Sequence, residues 1–114
     1  MSESDKVYLQ HISQSISRIL EYTSNVNEQS FYRNQQLLDA VVRNFEIIGE
    51  ATKRISHGTK SRYPEIEWRK MAGTRDKLIH DYIEVDYSIL WTTIQDLLPN
   101  LMVQIDGIDF GATK

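Results

Sequence analysis

The chain has 114 residues, of which 40% are hydrophobic and 25% charged, and a formal net charge of −3 at pH 7. This length and composition predict a single soluble domain over residues 1–114. The absence of cysteine excludes disulfides, thiolate chemistry and cysteine-ligated zinc. No run approaches the roughly 18 apolar residues that span a bilayer. The N-terminus also lacks a signal-peptide pattern, so the sequence predicts a cytoplasmic protein with no membrane partner.

The first predicted helix begins at Ser4 or Asp5 as its N-cap and runs to about Asn25. Its apolar residues recur every three or four positions, as one buried face requires. These residues are Leu9, Ile12, Ile16 and Ile19.

A second helix is predicted from an N-cap at Ser30 to about Ser56, with a broad apolar face. His57 and Gly58 predict its end, because a cation and a glycine commonly follow the last turn of a helix. A loop is expected to follow over Thr59–Tyr63.

Pro64 is predicted to open a third helix, since proline is favoured in the first turn. Asp86 is predicted to cap a fourth helix with the clearest apolar seam in the chain. Pro99 falls inside that seam and predicts a kink or a split near Leu98. No strand-like alternation competes, and the pattern predicts an all-α, up-and-down four-helix bundle.

Positive charge is concentrated between Lys53 and Lys77, where eight cations stand against three carboxylates. Such a patch on an acidic body can hold a phosphate backbone at one place. The simpler alternative is a set of solvated helix ends. The candidate RNA contacts in this segment are Lys53, Arg69, Lys70 and Lys77.

Arg75 falls on the apolar stripe of the third predicted helix, which comprises Trp68, Ala72, Arg75, Ile79 and Tyr82. A guanidinium in that position needs a carboxylate, a carbonyl or an anionic ligand, because an unpaired buried charge is costly. Glu46 and Glu50 on the second helix are possible partners. A buried ion pair without a catalytic role is therefore one interpretation of Arg75.

His80 lies about 140° around an ideal helix from Arg75, so the two do not share a face. Either the helix ends near His80, or a second copy supplies the missing group in a composite site on a two-fold axis. A lone histidine in a bundle is more often structural, and His11 and His57 are assigned that role. Arginine and histidine near each other, without a metal cluster, suit RNA cleavage through the 2′-hydroxyl.

Two runs of the sequence are similar to one known family. AVVRNFEIIGEATKRIS, residues 40–56, resembles the second helix of HepT-like HEPN proteins, and residues 63–101 resemble their third and fourth helices. The specific element is R-x-x-x-x-H-x-Y, which Arg75, His80 and Tyr82 fill.

The resemblance implies a four-helix-bundle toxin that cuts RNA without a metal or other cofactor, as a homodimer. Arg75 and His80 would be its catalytic residues. It also implies a partner, a minimal nucleotidyltransferase (MNT) antitoxin that transfers AMP onto Tyr82. Adenylylation would place a bulky anion where an RNA phosphate must bind.

The chain departs from the family pattern at Asp76, where asparagine is common, and at Asp81, where glycine is common. Both carboxylates add negative charge beside the phosphate site, and Asp81 could instead raise the pKa of His80. An alternative function is a non-catalytic helical companion of the nucleotidyltransferase, in which the motif residues are structural.

Overall fold

The computed structural model describes the backbone of residues 1–81 and 84–108, and the side chains of residues 1–74 and 86–108. These ranges contain seven helices and one short strand pair: α1 (Glu3–Thr23), α2 (Glu28–Arg33), α3 (Gln35–Arg54), α4 (His57–Arg62), α5 (Trp68–Leu78), β1 (Ile79–Asp81), β2 (Glu84–Val85), α6 (Tyr87–Asp96) and α7 (Leu98–Asp106). The predicted all-α class is confirmed, and the strand pair is a small addition that the sequence did not predict. The first, third and fourth predicted helices correspond to α1, α5 and the α6–α7 pair, and the second covers the end of α2 and all of α3.

Helix α1 begins earlier than predicted, because its N-cap is Ser2 and not Ser4 or Asp5. The side chain of Ser2 is the N-cap and accepts a hydrogen bond from the Asp5 N–H at 3.0 Å. The prediction of Ser4 or Asp5 as the cap is wrong, because the Asp5 carboxylate is buried and bonds to a distant part of the chain. The helix also ends at Thr23, before the predicted Asn25.

The second predicted helix is divided at Asn34, and the predicted N-cap at Ser30 is wrong. Asn27 caps α2 by accepting a hydrogen bond from the Ser30 N–H at 2.8 Å. Asn34 has an extended backbone and caps α3 by accepting from the Leu37 N–H at 3.1 Å. Asparagine favours caps over helix interiors because its side chain competes for backbone N–H groups.

The predicted stop at His57 and Gly58, and the loop over Thr59–Tyr63, are also wrong. Helix α3 ends at Arg54, and the chain then forms the short helix α4, which contains both His57 and Gly58. Ser56 caps α4, and its N–H donates to the Asp5 carboxylate at 3.0 Å. A local cap and a distant carboxylate together start a new helix where the local sequence predicts a loop.

The third predicted helix is shorter at both ends than the sequence indicates. Pro64 lies in a turn, and α5 begins only at Trp68, whose indole N–H donates to the Tyr63 carbonyl at 3.0 Å. At the other end α5 stops at Leu78, and Ile79 continues into β1. The helical stripe predicted from Trp68 to Tyr82 therefore ends at Arg75.

The fourth predicted helix is confirmed in its start and in its break. The Asp86 carboxylate accepts hydrogen bonds from the N–H groups of Ser88 and Ile89, at 3.0 and 3.3 Å. The helix is split at Leu97, and Pro99 lies in the first turn of α7. Proline is tolerated there because the first turn has no intrahelical acceptor for its missing N–H.

The core lies between α1, α3, α5 and the α6–α7 pair. Helix α1 packs mainly on α3, which in turn packs on α5, and α7 also packs on α1. The bond between Asp5 at the start of α1 and Ser56 after the end of α3 shows that these two helices are antiparallel. Within the described ranges, no helix combines the length and the apolar character needed to cross a membrane.

Candidate active site

The predicted catalytic motif is divided between two elements. Arg75 lies in α5, and His80 lies in β1, after the helix has ended at Leu78. This agrees with the first of the two sequence-based alternatives, in which the helix ends before the histidine. The side chains of Arg75 and His80, and the whole of Tyr82, lie outside the described residues. Their catalytic and modification roles therefore stay predictions.

The strand pair positions the backbone around His80. Ile79 pairs with Val85 and Asp81 pairs with Glu84 in an antiparallel arrangement, with an irregularity in the register between the two pairs. Both neighbours of His80 are thus matched to β2. Because β2 leads directly into α6, the pairing fixes the backbone of His80 relative to the start of that helix.

Helix α5 is firmly held up to the residue before Arg75. Met71 and Trp68 are buried in the core, and the Trp68 indole is anchored by its hydrogen bond to the Tyr63 carbonyl. Thr74 is 7% exposed, and its hydroxyl donates to the Lys70 carbonyl at 2.7 Å. The motif arginine therefore follows directly from a fixed turn of helix.

The chain is equally well anchored after the motif. The Ser88 hydroxyl, at 2.6 Å, and the Ile89 N–H donate hydrogen bonds to the Asp86 carboxylate. These bonds lower the pKa of Asp86 below its ordinary value of 3.8, and desolvation opposes them with a weaker effect. The charged carboxylate suits the positive end of the α6 dipole. Leu90 is fully buried one turn later. The motif segment thus runs between two fixed helices.

Three of the four candidate RNA-binding cations can be placed. Arg69 and Lys70 are exposed in α5, where Lys70 lies 4.0 Å from the Glu67 carboxylate, and Lys53 is exposed in the last turn of α3. The backbone of Lys77 belongs to α5, but its side chain lies outside the described residues. Since α5 packs on α3, the charges occupy neighbouring helices. Their contact with RNA stays a prediction.

The acidic residues near the motif divide into two groups. Asp76 belongs to α5 and Asp81 to β1, and both side chains lie outside the described residues. Glu46 and Glu50, the suggested partners of Arg75, are half-buried and line a groove between α1 and α3. Their pairing with Arg75 stays a prediction, because the Arg75 side chain lies outside the described residues.

The α1–α3 groove was missed by the sequence analysis. One part has a volume of about 380 Å³ and is lined by residues that include Tyr8, His11, Arg43 and Ile47. A second part of about 330 Å³ shares His11 and Ile47 and extends to Arg18. His11, assigned a structural role from the sequence, is exposed here. A pattern in the sequence could have indicated this groove. Helix α1 carries a second stripe spaced by three and four residues, which comprises Tyr8, His11, Ser15, Arg18 and Tyr22.

Among the side chains that the structure describes, no cluster of three histidine, aspartate or glutamate residues is arranged to hold a metal ion.

Comparison with known proteins matches residues 12–108 to the HepT-like family, described as "Ribonuclease HepT-like". A protein from Thermococcus cleftensis, named as a probable ribonuclease HepT, is 44% identical over 89% of this chain and 92% of its own length. A protein from Methanocaldococcus jannaschii, named as a candidate RNase, is 33% identical over 93% of this chain and 98% of its own length. Another candidate RNase, from Caldanaerobacter subterraneus, is 38% identical over 89% and 90% of the two chains. No solved structure matches.

Proposed function

Because the chain belongs to the HepT-like ribonuclease family, we propose that it is a metal-independent endoribonuclease with Arg75 and His80 as its catalytic residues. The family membership carries the ribonuclease assignment. One structural observation supports the two residues: α5 ends between them, so His80 is not held at the unfavourable helical angle. The hairpin instead fixes its backbone on a separate element.

The chemistry uses the 2′-hydroxyl of RNA as the nucleophile. His80, as a general base, takes the hydroxyl proton while the 2′-oxygen attacks the adjacent phosphorus. Arg75 stabilises the negative charge that develops on the phosphoryl oxygens. The bond to the 5′-oxygen breaks, and a protonated histidine supplies the proton to this leaving group. The products are a 2′,3′-cyclic phosphate and a 5′-hydroxyl end.

A homodimer gives this mechanism its second histidine. In-line displacement places the base and the acid on opposite sides of the phosphorus, so one imidazole does not readily reach both oxygens. Two motifs facing each other across a two-fold axis would provide a base from one subunit and an acid from the other. Asp81, adjacent to His80, would favour the protonated form that the acid requires.

The proposal includes a toxin–antitoxin pair with a nucleotidyltransferase of the MNT type. The Tyr82 hydroxyl attacks the α-phosphate of ATP and releases pyrophosphate, which leaves AMP joined to the tyrosine by a phosphodiester. The added negative charge and bulk, two residues after His80, would repel the RNA phosphate and block the site. Asp76 and Asp81 already add negative charge there and would weaken RNA affinity. The cytoplasmic location stays a prediction from the sequence.

The test is cleavage of RNA in the presence of EDTA by the wild type, His80→Ala and His57→Ala. His57 is a matched control, because it is an exposed histidine on α4 whose ring lies 3.3 Å from the Ser61 hydroxyl. We expect His80→Ala to lower the cleavage rate by roughly 100-fold or more. The wild type and His57→Ala should both leave 2′,3′-cyclic phosphate ends.

Unchanged cleavage by His80→Ala would contradict the proposed mechanism. If the wild type is inactive, its intact mass shows whether an AMP group is attached. A folded, unmodified and inactive protein would instead support the non-catalytic companion of a nucleotidyltransferase.

A further inference from the structure

The two parts of the α1–α3 groove differ in charge. The first part, of about 380 Å³, has two guanidinium groups and two carboxylates in its lining, from Arg43, Arg54, Glu46 and Glu50. The second part, of about 330 Å³, has no carboxylate among the described side chains that line it, which are His11, Gln14, Ser15, Arg18 and Ile47. The first part is therefore neutral overall, whereas the second part favours an anion.

A buried hydroxyl lies in the second part. Ser15 is fully buried, and its Oγ has no hydrogen-bond partner among the described residues. Buried polar groups are nearly always paired, so an unpaired one points to a ligand or another role outside folding. An anion in the second part would accept a hydrogen bond from Ser15 once the exposed side chains of His11 and Arg18 move towards that anion.

The other donors of the second part suit a phosphate group. Arg18 is exposed, and its guanidinium makes no ion pair or hydrogen bond within the described side chains. A guanidinium binds two phosphate oxygens at once in a bidentate arrangement. The Gln14 amide and a ring nitrogen of His11 are further donors. Together with the Ser15 hydroxyl, these groups can satisfy the three terminal oxygens of a phosphomonoester.

The first part suits an uncharged aromatic ring with an amino group. Tyr8, Ile47 and Ala51 provide apolar surface, and the Tyr8 ring lies 6.4 Å from the His11 ring between centroids. Glu46 is half-buried, and its carboxylate has no partner within the described side chains. Carboxylates accept hydrogen bonds from the amino groups of nucleobases. Glu50 already has an interaction, which leaves Glu46 as the acceptor.

We propose that the α1–α3 groove binds a nucleoside monophosphate, with the phosphate in the second part and an amino-bearing base in the first. Tyr8 and Ser15 are seven residues apart on α1, which is about 10 Å along the helix and comparable to the length of a mononucleotide. The two volumes also fall in the range of small-molecule sites. This site goes beyond the proposed function and does not depend on Arg75, His80 or Tyr82.

The experiment is isothermal titration calorimetry in EDTA with AMP, GMP, CMP, UMP and inorganic phosphate. The proteins are the wild type, Ser15→Ala, Arg18→Gln, Glu46→Gln and the control Arg33→Gln. Arg33 is a matched control, because it is an exposed arginine at the end of α2 and does not line the groove. Circular dichroism verifies that every variant is folded.

Arg18→Gln tests the phosphate in the second part. We expect the wild type and Arg33→Gln to bind AMP equally, and Arg18→Gln to bind it roughly tenfold or more weakly, because a charged hydrogen bond to phosphate is lost. Inorganic phosphate should bind more weakly than AMP and should show the same dependence on Arg18.

Glu46→Gln tests the base in the first part. The wild type should prefer AMP, GMP and CMP to UMP, because uracil has no amino group to donate to Glu46. We expect Glu46→Gln to remove most of this preference, since an amide oxygen is a weaker acceptor than a carboxylate. The affinity for inorganic phosphate should not fall in this variant.

Ser15→Ala separates a binding role from a structural one. We expect roughly threefold to tenfold weaker binding of AMP, because one hydrogen bond to the phosphate is lost. The same variant should be more stable to urea than the wild type in the absence of nucleotide. A loss of binding that accompanies a gain in stability does not follow from damage to the fold.

The proposal would be overturned if the wild type bound none of these compounds at millimolar concentration. It would also be overturned if Arg18→Gln bound AMP as tightly as the wild type, or if AMP bound no more tightly than inorganic phosphate.

A 2′-O-methyl tetranucleotide with a 5′-phosphate identifies the source of the nucleotide. Tighter binding of this compound than of AMP would support the site and assign it to the end of an RNA chain, whereas equal or weaker binding would support a free nucleotide. None of these titrations requires cleavage. Nucleotide binding by a protein that cuts no RNA would therefore leave this inference standing and contradict the ribonuclease proposal.

Discussion

Asp5 shows how one carboxylate can organise two helices. It is 2% exposed and accepts hydrogen bonds from the Ser56 N–H at 3.0 Å, the Ser56 hydroxyl at 2.6 Å and the Thr59 hydroxyl at 2.6 Å. Burial alone would raise the pKa of Asp5, but these hydrogen bonds together outweigh it and hold the pKa below the ordinary value of 3.8. The charged form is therefore the one that the fold stabilises.

The lowered pKa of Asp5 predicts a loss of stability in acid. A group whose pKa is lower in the folded state stabilises the fold above its unfolded pKa, and this stabilisation is lost as the pH falls through the folded value. We expect the free energy of unfolding to fall more between pH 7 and pH 3 in the wild type than in Asp5→Asn. Urea unfolding at the two pH values measures this. An equal fall in both proteins would contradict the prediction.

Ser15 contrasts with Asp5, because its buried side chain is left unpaired. Its side chain is fully buried, and its hydroxyl has no hydrogen-bond partner among the described residues. We expect Ser15→Ala to raise the free energy of unfolding by about 1 kcal/mol, because a buried unpaired polar group is removed. Ser17→Ala, at an exposed position of α1, is the control for helix propensity and should give about 0.5 kcal/mol. A destabilised Ser15→Ala would show that the hydroxyl has a partner after all.

The helix caps show why some helix starts were predicted correctly from the sequence and others were not. Asp86 and Pro99 were correctly interpreted, because each acts through its own neighbours in sequence. The start of α4 was missed, since it depends on Asp5, which is 51 residues distant from Ser56. The break at Asn34 was also missed, although an asparagine is a local signal for a helix cap.

The cap of α6 is a testable element because it adjoins the catalytic motif. We expect Asp86→Ala to lower the free energy of unfolding by about 1 kcal/mol, since the N–H groups of Ser88 and Ile89 lose their acceptor. Asp86→Asn keeps an acceptor and should lose less. Thermal unfolding of the three proteins checks the order. Equal stability of Asp86→Ala and the wild type would show that the cap contributes nothing.

For the whole molecule, the sequence predicted the family and the helical class, and both predictions are confirmed. These depend on short patterns such as Arg75 with His80, or on the period of one helix. The α1–α3 groove could not be predicted in the same way, because its shape depends on how two helices pack. The second stripe from Tyr8 to Tyr22 was visible in the sequence, but only the packing shows which face of α3 it adjoins.

The hydrogen bonds of Asp5 also set the axial alignment of α1 along α3. A slip of one helical turn, about 5.4 Å, would separate the carboxylate from Ser56 and Thr59. It would also move His11 away from Ile47. These two residues line both parts of the groove. The shape of that surface is therefore maintained from outside it, by a residue that does not line it.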